Sequence, residues 1–432
     1  MRALARPSRP RRVVTLPPGA DVAAFSQKAR GAGAELLEVR TDLSPPDAEV
    51  GASALPLLIA ERGRRSPEEW RRLAVLLDAD DGSLRSHHAA APMTTDEALA
   101  HWQGVSDHVH VKHVEPLGAL ASAAPRLLQT QRALQQAHGA ERVTVLCTGP
   151  LALPFRAVLA EANALDYLAL DDAWSAAPGQ RRLDDAVRTA RRSPPGGRRS
   201  AAAPGDVDPS PTHAPRPDGT TRRLGILGSA VAHSRSPRLH AQPFDRIELP
   251  PDVDLPGLLS ALRPHYRGFA VTSPFKKAAA RVAEASRDAV NTLVREGAGF
   301  SGHNTDREGA MAVLLALRAR TGAARVTALG DGGVTGALRE AAAQLGLELS
   351  VVTRAEANGP LTGAVVWTWP APVEAPPALR LAGAQVAVIA YGAPAQVIAR
   401  RVEQLGGTPV RLGPRWFIAQ ARRQRALWES SP

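Results

Sequence analysis

Val326-Thr327-Ala328-Leu329-Gly330-Asp331-Gly332-Gly333-Val334-Thr335-Gly336 runs from a short apolar strand into a glycine-rich turn, and an Ala/Leu helical stretch follows from about Ala337. Glycines at such a turn let the backbone approach a pyrophosphate, and the next helix offers free N–H groups and a positive dipole end. Tight strand-to-helix turns also use glycine structurally, so the turn alone does not decide between ligand and packing. The following strand, Leu349-Ser350-Val351-Val352, ends at Thr353-Arg354. A NAD site usually carries an acid there for the ribose hydroxyl, and arginine favours the extra phosphate of NADP. Gly330, Gly332, Gly333, Thr353 and Arg354 are therefore candidate cofactor residues.

Upstream stand Ser234-Arg235-Ser236-Pro237, Val271-Thr272-Ser273-Pro274-Phe275-Lys276, Ala289-Val290-Asn291-Thr292 and Asn304-Thr305-Asp306. Only four of the 53 basic residues are lysines. A chain that uses arginine almost everywhere keeps lysine where its chemistry is needed, since a guanidinium cannot give or take a proton at working pH. Hydroxyls, an amide, a carboxylate and an amine beside a phosphate cradle suit a small polyol next to a dinucleotide. Reducing a ketone by hydride needs a proton for the developing alkoxide, and Lys276 held by Asp306 can deliver it. Taken singly, each of these residues could be a surface or turn residue.

The bulk properties are those of an ordinary globular chain. Its 432 residues allow two or three domains. No apolar run reaches the eighteen or so residues of a membrane span, and the basic start lacks the apolar core of a secretory signal. A single cysteine, Cys147, excludes an internal disulfide, and cytoplasm is the expected compartment. The formal charge of +11 is spread along the chain with few aromatics, so anionic small substrates are expected and nucleic acid is not. No metal ligand set is assigned.

Residues 193–222 are rich in Pro, Gly, Ser and Arg without apolar periodicity, which reads as a linker. Residues 1–12 read as a disordered basic tail. On both sides of the linker, short strands alternate with helical stretches, which implies α/β architecture with parallel pairing. The strands include Arg12–Leu16, Leu36–Arg40 and Val143–Leu146 before the linker, and Arg223–Leu227 after it.

With these motifs in this order, the C-terminal half resembles shikimate dehydrogenase. The resemblance implies substrate-binding Ser234, Ser236, Thr272, Asn291 and Gln420, catalytic Lys276 with Asp306, and Tyr391 near the cofactor's nicotinamide. It implies a substrate domain over 223–320, a Rossmann-like NADP domain over 321–410, and a C-terminal helix over 411–432 that packs back on the substrate domain. Departures from the family pattern are Ala270 for an asparagine, Asp331 for a small residue, Val388 for an acid, and a short segment between His240 and Gly268.

The N-terminal half carries Glu38-Val39-Arg40-Thr41-Asp42, Ser86-His87-His88 and, in an apolar strand, Lys112. A lysine in such a strand is either desolvated, and so available for imine chemistry, or reaches solvent from the strand end. The pattern resembles type I dehydroquinate dehydratase, which implies a TIM-type β/α barrel over 13–192, compressed because such barrels usually take about 250 residues. The resemblance implies Lys112 as the imine-forming lysine, His88 as its proton-transfer partner, and Glu38, Arg40, Arg62, Arg156 and Gln180 as substrate-binding residues. Ser66 stands where the family has a glutamate, and Ala176 where it has a serine. The expectation is a bifunctional enzyme that dehydrates 3-dehydroquinate and reduces 3-dehydroshikimate to shikimate with NADPH. The alternatives are a dehydrogenase with an inactive barrel, or a degenerate homologue that only binds a metabolite.

Overall fold

The computed structural model describes residues 10–192, 223–240, 242–285 and 289–430. The expected tail up to residue 9 and the expected linker 193–222 lie outside the described residues. The chain divides into two compact units, Met1–Pro274 and Phe275–Pro432, and both are α/β.

The first unit opens with β1 (Arg11–Thr15), α1 (Val22–Ala32), β2 (Leu36–Arg40), β3 (Leu57–Ala60), α2 (Glu68–Leu73), β4 (Ala74–Asp78) and β5 (Leu84–His88). It continues through α3 (Thr95–Trp102), β6 (His110–Pro116), α4 (Leu120–His138), β7 (Val143–Thr148), α5 (Ala152–Leu159), β8 (Leu165–Ala169), β9 (Arg181–Arg182) and α6 (Leu183–Arg192). These strands form one parallel sheet in the order β7-β6-β5-β4-β3-β2-β1-β8-β9. β1 begins at Arg11, so Arg11 and Arg12, expected in the tail, are paired with Leu165 and Asp166 of β8.

The sheet curls. Val13, Leu36, Leu58, Leu76, Leu84, Val114, Leu146 and Tyr167, one from each of β1 to β8, meet in a single buried cluster. Residues that alternate inward along parallel strands make such a cluster when a sheet wraps on itself. At the seam, Ala164 N donates to Val143 O (2.8 Å) and Leu165 N to Thr144 Oγ1 (3.0 Å). The compression lies in the connections: β2 to β3 has only a 3-10 turn at Val50–Ala52, α2 runs straight into β4, and β4 reaches β5 without a helix. Where helices persist, local sequence starts them: Asp21 accepts from Ala24 N before α1, and Thr94 with Glu97 forms a capping box before α3.

The same unit ends in β10 (Arg223–Gly228), α7 (Ser236–Leu239), β11 (Phe244–Glu248), α8 (Leu255–Leu262) and β12 (Tyr266–Val271), with β10 parallel to both β11 and β12. α4 packs on α8. Arg223, on β10, is fully buried. Its Nε and Nη2 meet the two Asp245 oxygens at 2.6 and 2.8 Å, and its Nη1 reaches Glu161 at 3.1 Å. Burial opposes the guanidinium charge, but Asp245 and Glu161 outweigh it and hold the Arg223 pKa well above its ordinary value.

The second unit contains α9 (Lys276–Val282), β13 (Thr292–Glu296), β14 (Gly299–His303), α10 (Asp306–Thr321), β15 (Arg325–Leu329), α11 (Thr335–Gln344), β16 (Glu348–Val352) and β17 (Gly359–Pro360). After these come β18 (Ala364–Trp367), β19 (Leu379–Arg380), β20 (Gln385–Val388), α12 (Ala393–Gln404), β21 (Thr408–Arg411) and α13 (Gly413–Ser430). β13 and β14 form an antiparallel hairpin. β16-β15-β18-β20-β21 is a parallel doubly wound sheet, whose strand order reverses beside β15. α13 begins at Gly413, seven residues before Gln420, and packs on α10. Gly309 permits that contact, since a Cβ there would lie 2.8 Å from the Trp416 ring. Trp428 is fully buried and its Nε1 donates to Leu293 O at 3.0 Å. No helix among the described residues is long and apolar enough to cross a membrane.

Candidate functional site

In the second unit, Lys276 opens α9 and Asp306 opens α10. Lys276 Nζ donates to Asp306 Oδ2 at 2.6 Å, with the carboxylate side chain buried and the amine side chain 22% exposed. Asp306 N is in turn held by Asn304 Oδ1 at 3.0 Å. A partly exposed lysine on a buried carboxylate anchor suits proton delivery to a bound molecule. Asn291 is buried, and its Oδ1 accepts from Thr305 N (2.8 Å), Thr305 Oγ1 (3.2 Å) and Thr292 Oγ1 (2.9 Å). The backbone donor fixes which end is oxygen. Asn291 Nδ2 is left buried without a partner among the described residues, and an unmet buried donor is costly unless a ligand or water meets it. Gln420 is half-buried on α13. One turn further on, Gln424 is buried and donates to Asn291 O (3.3 Å) and Thr292 Oγ1 (3.1 Å). Gln424 escaped the sequence analysis, although its spacing of four from Gln420 puts both on one helix face.

In the first unit, Ser234 lies between β10 and α7, and Ser236 opens α7. Ser234 Oγ donates to Ser236 Oγ (3.2 Å) and accepts from Ser236 N (3.2 Å). The turn into this loop needs glycine at 228, because a Cβ there would lie 2.4 Å from Thr272 Cγ2. Thr272 is half-buried just after β12, and Ala270 is buried within it.

The glycine turn after β15 combines a fixed base with an open face. Gly330 has φ 114°, and a Cβ on it would lie 2.7 Å from Thr368 Oγ1 and the Trp369 ring. Gly332 and Gly333 have nothing within 4 Å of a Cβ. Thr335 Oγ1 accepts from Gly332 N and donates to Gly330 O, both at 3.0 Å. α11 has no side-chain cap; Thr335 N is taken by Gly332 O at 3.0 Å, so an anion here would meet the N–H groups that follow it and the positive end of the helix dipole. The Asp331 charge is offset by Arg339 at 3.4 Å. Arg354 is exposed at the end of β16, while Thr353 N and Oγ1 both donate to Glu356 Oε2, at 3.0 and 2.7 Å. Tyr391 stacks on Phe417 (5.1 Å), and Val388 is buried in β20. The donors at this turn fit a dinucleotide pyrophosphate.

In the N-terminal half, Lys112 is buried in β6, with Nζ 3.6 Å from Glu38, 3.9 Å from Asp78 and 4.0 Å from the Tyr167 ring centroid. Desolvation lowers its pKa despite the opposing Glu38 and Asp78 charges. Glu38 accepts from Thr15 Oγ1 at 2.5 Å. Asp78 accepts from Arg62 Nη2 and Ser86 Oγ, both at 2.5 Å. His88 is exposed at the end of β5. Desolvation, then the Lys112 and Arg62 charges, lower its pKa to about 4. Arg40 also acts on Lys112 and His88, and it forks onto Asp42 at 3.0 and 2.6 Å. Glu38, Arg40, Arg62, His88 and Lys112 are thus brought into one electrostatic cluster. Arg156 and Gln180 are not among the charges and partners of Lys112. Arg156 is buried and donates to Tyr167 O (3.1 Å), and Gln180 Oε1 accepts from Ala176 N (2.8 Å). Ser66 is turned to Glu61, its N and Oγ donating at 3.0 and 2.6 Å. Asp78, Ser86 and Tyr167 join this cluster without having been expected there. Asp78 had a signal, an acid closing an apolar strand, whereas Tyr167 had none.

No protein-family model matches the chain. About a third of it is homologous to shikimate dehydrogenases. A shikimate dehydrogenase (NADP(+)) of Acidiphilium cryptum is 36% identical over 152 residues, 32% of this chain and 55% of that protein. One from Anaeromyxobacter sp. strain Fw109-5 is 33% identical over 181 residues, 37% and 63% respectively. The chain thus spans little more than half the length of the curated relatives it matches. Among solved structures, the dehydroquinate dehydratase and shikimate dehydrogenase of S. pombe aligns over 98% of this chain and 96% of its own at 16% identity and a TM-score of 0.38. The Mycobacterium tuberculosis shikimate dehydrogenase aligns over 49% and 95% at 26% identity and a TM-score of 0.39.

Proposed function

We propose that the chain is a bifunctional shikimate-pathway enzyme, in which the C-terminal half reduces 3-dehydroshikimate to shikimate with NADPH and the N-terminal half dehydrates 3-dehydroquinate. The observation that carries the reductase reading is the 2.6 Å Lys276–Asp306 bond, a partly exposed lysine on a buried carboxylate. NADPH, which Gly330, Gly332, Gly333, the α11 N-terminus and Arg354 would hold, supplies the hydride when bound. Lys276 gives its proton to the developing alkoxide, and Asp306 keeps the amine oriented before and after the transfer. Asn291 Nδ2 offers its unmet hydrogen bond to a ring hydroxyl, and Ser234, Ser236, Thr272 and Gln420 are proposed, each by itself, as further substrate-binding residues.

In the dehydratase reading, the desolvated Lys112 amine adds to the ketone carbon and water leaves to form an imine. The imine acidifies the adjacent carbon; neutral His88 takes a proton from that carbon and hands it to the departing β-hydroxyl, which leaves as water and returns His88 to its neutral form. Water then hydrolyses the imine and returns the amine. A second reading, reductase alone with the first half as scaffold, is favoured by Gln180, whose Oε1 is engaged with its own loop at Ala176 N. Separate assays of the purified protein decide: shikimate oxidation with NADP+, and formation of the conjugated 3-dehydroshikimate from 3-dehydroquinate. Oxidation without dehydration selects the second reading, and neither activity leaves a metabolite-binding homologue.

A further inference from the structure

The loop that carries Ser234 and Ser236 is held from the N-terminal half. Arg246, buried on β11, divides its guanidinium between two tasks. Nη1 forks onto Asp185 of α6 at 2.7 and 2.6 Å, while Nε and Nη2 donate to Ser234 O at 3.1 and 3.0 Å. Arg182 of β9 donates from Nη1 to Ala232 O at 2.9 Å, in the same loop, and to Asp172 at 2.7 Å. Glu248 Oε1 completes the hold by accepting from Val231 N and Ala232 N at 3.0 and 3.2 Å. A cleft of about 210 Å³ follows this seam.

We propose that Asp185 and Arg182 are positioning residues for the C-terminal half: through Arg246 Nη1 and Ala232 O they fix the Ser234–Ser236 loop, so the N-terminal half sets the affinity for a polyhydroxylated ring acid. This rests on the reductase reading, in which those serines meet substrate. Asp185 matters beyond holding the fold because of its neighbour. Asp184 Oδ1 stands 3.7 Å from the same Arg246 Nη1, and a buried guanidinium deprived of Asp185 will turn towards it. That turn draws Nε and Nη2 off the Ser234 carbonyl. The serine hydroxyls then lose their shared orientation, although Lys276, Asp306 and the cofactor turn are untouched.

The test uses the full chain with Asp185→Asn, Asp185→Glu and Arg182→Ala, each checked for wild-type thermal unfolding. Arg182 is a quarter exposed at its side chain, so its variant keeps the test available if Asp185→Asn fails to fold. Asp185→Asn and Arg182→Ala should each raise the KM for shikimate about fivefold to tenfold, the worth of one lost hydrogen bond. The kcat and the KM for NADP+ should stay within about twofold, and Asp185→Glu should restore much of the loss. Hydrogen–deuterium exchange of the peptide spanning 229–236 should rise in the two damaging variants. Unchanged exchange, or a loss spread equally over kcat and the cofactor KM, would overturn the proposal. Wild-type protein that oxidises no shikimate would sink the functional reading instead, and exchange alone would then decide whether Asp185 and Arg182 hold the loop.

Discussion

Lys276 Nζ and Asp306 Oδ2 are 2.6 Å apart, and the two ends of that bond differ in their access to solvent: 22% of the lysine side chain is exposed against 3% of the aspartate. A pair so arranged keeps its anchor dry and its proton available. Lys276→Ala should therefore lower kcat for ketone reduction by about 10²- to 10⁴-fold while NADPH binding, measured by fluorescence titration, changes little. An equal loss of cofactor affinity would remove Lys276 from the chemistry.

Arg354 is exposed at the end of β16, where the second phosphate of NADP would need a cation. Arg354→Ala should raise the KM for NADPH about tenfold, one charge-assisted hydrogen bond, and leave that for NADH nearly unchanged. A native preference for NADH in steady-state assays would contradict the assignment.

Lys112 sits buried between Glu38, Asp78 and the Tyr167 ring, with its pKa lowered by desolvation. Borohydride added with 3-dehydroquinate should fix the ligand to the protein, and peptide mapping should find the added mass on Lys112. In the dehydratase reading neutral His88 takes the proton, and that form persists above about 4, so this group should leave the dehydration rate flat near neutrality and reduce it as pH falls towards that value. Dehydration that survives Lys112→Ala would point to Lys28, the other lysine of that half.

Asp245 is buried against Arg223 and the Tyr266 hydroxyl, which donates at 2.9 Å. Burial pushes the carboxyl pKa up, but Arg223 outweighs it and holds the value below the ordinary 3.8. A lowered folded-state pKa adds stability that is present above 3.8 and lost as pH falls through the folded value. Asp245→Asn should cost about 3–5 kcal/mol, because it leaves Arg223 buried without its main counter-charge. Urea unfolding at neutral pH and again below 3.8, where the unfolded-state carboxyl takes up a proton, should show the deficit shrink on acidification. An equal deficit at both would mean lost packing instead.

The strands and the glycine turn were legible because their signals are local. Leu36–Arg40 emerges with the bounds its apolar run implies, and β15 feeds Gly330 as its pattern required. The Lys276–Asp306 pair was legible because each residue stands in a distinctive string. What escaped notice depends on contacts distant in the chain. Asp78 joins Lys112 only because β4 and β6 share a curled sheet, and nothing near Asp185 announces Arg246, sixty-one residues away. The C-terminal helix expected over 411–432 runs Gly413–Ser430, with Pro414 in its first turn, where proline is well tolerated.

The seam ion pairs bear on how a gene of this kind can change. Arg223 and Arg246 are buried cations whose counter-charges include Glu161 and Asp185, encoded on the other side of residues 193–222. A deletion that removed the first half would strip those acids in one step and leave Arg246 facing solvent or the wrong partner. Whatever chemistry it carries, the first half would therefore not be dispensable, because its acids neutralise cations that the second half buries.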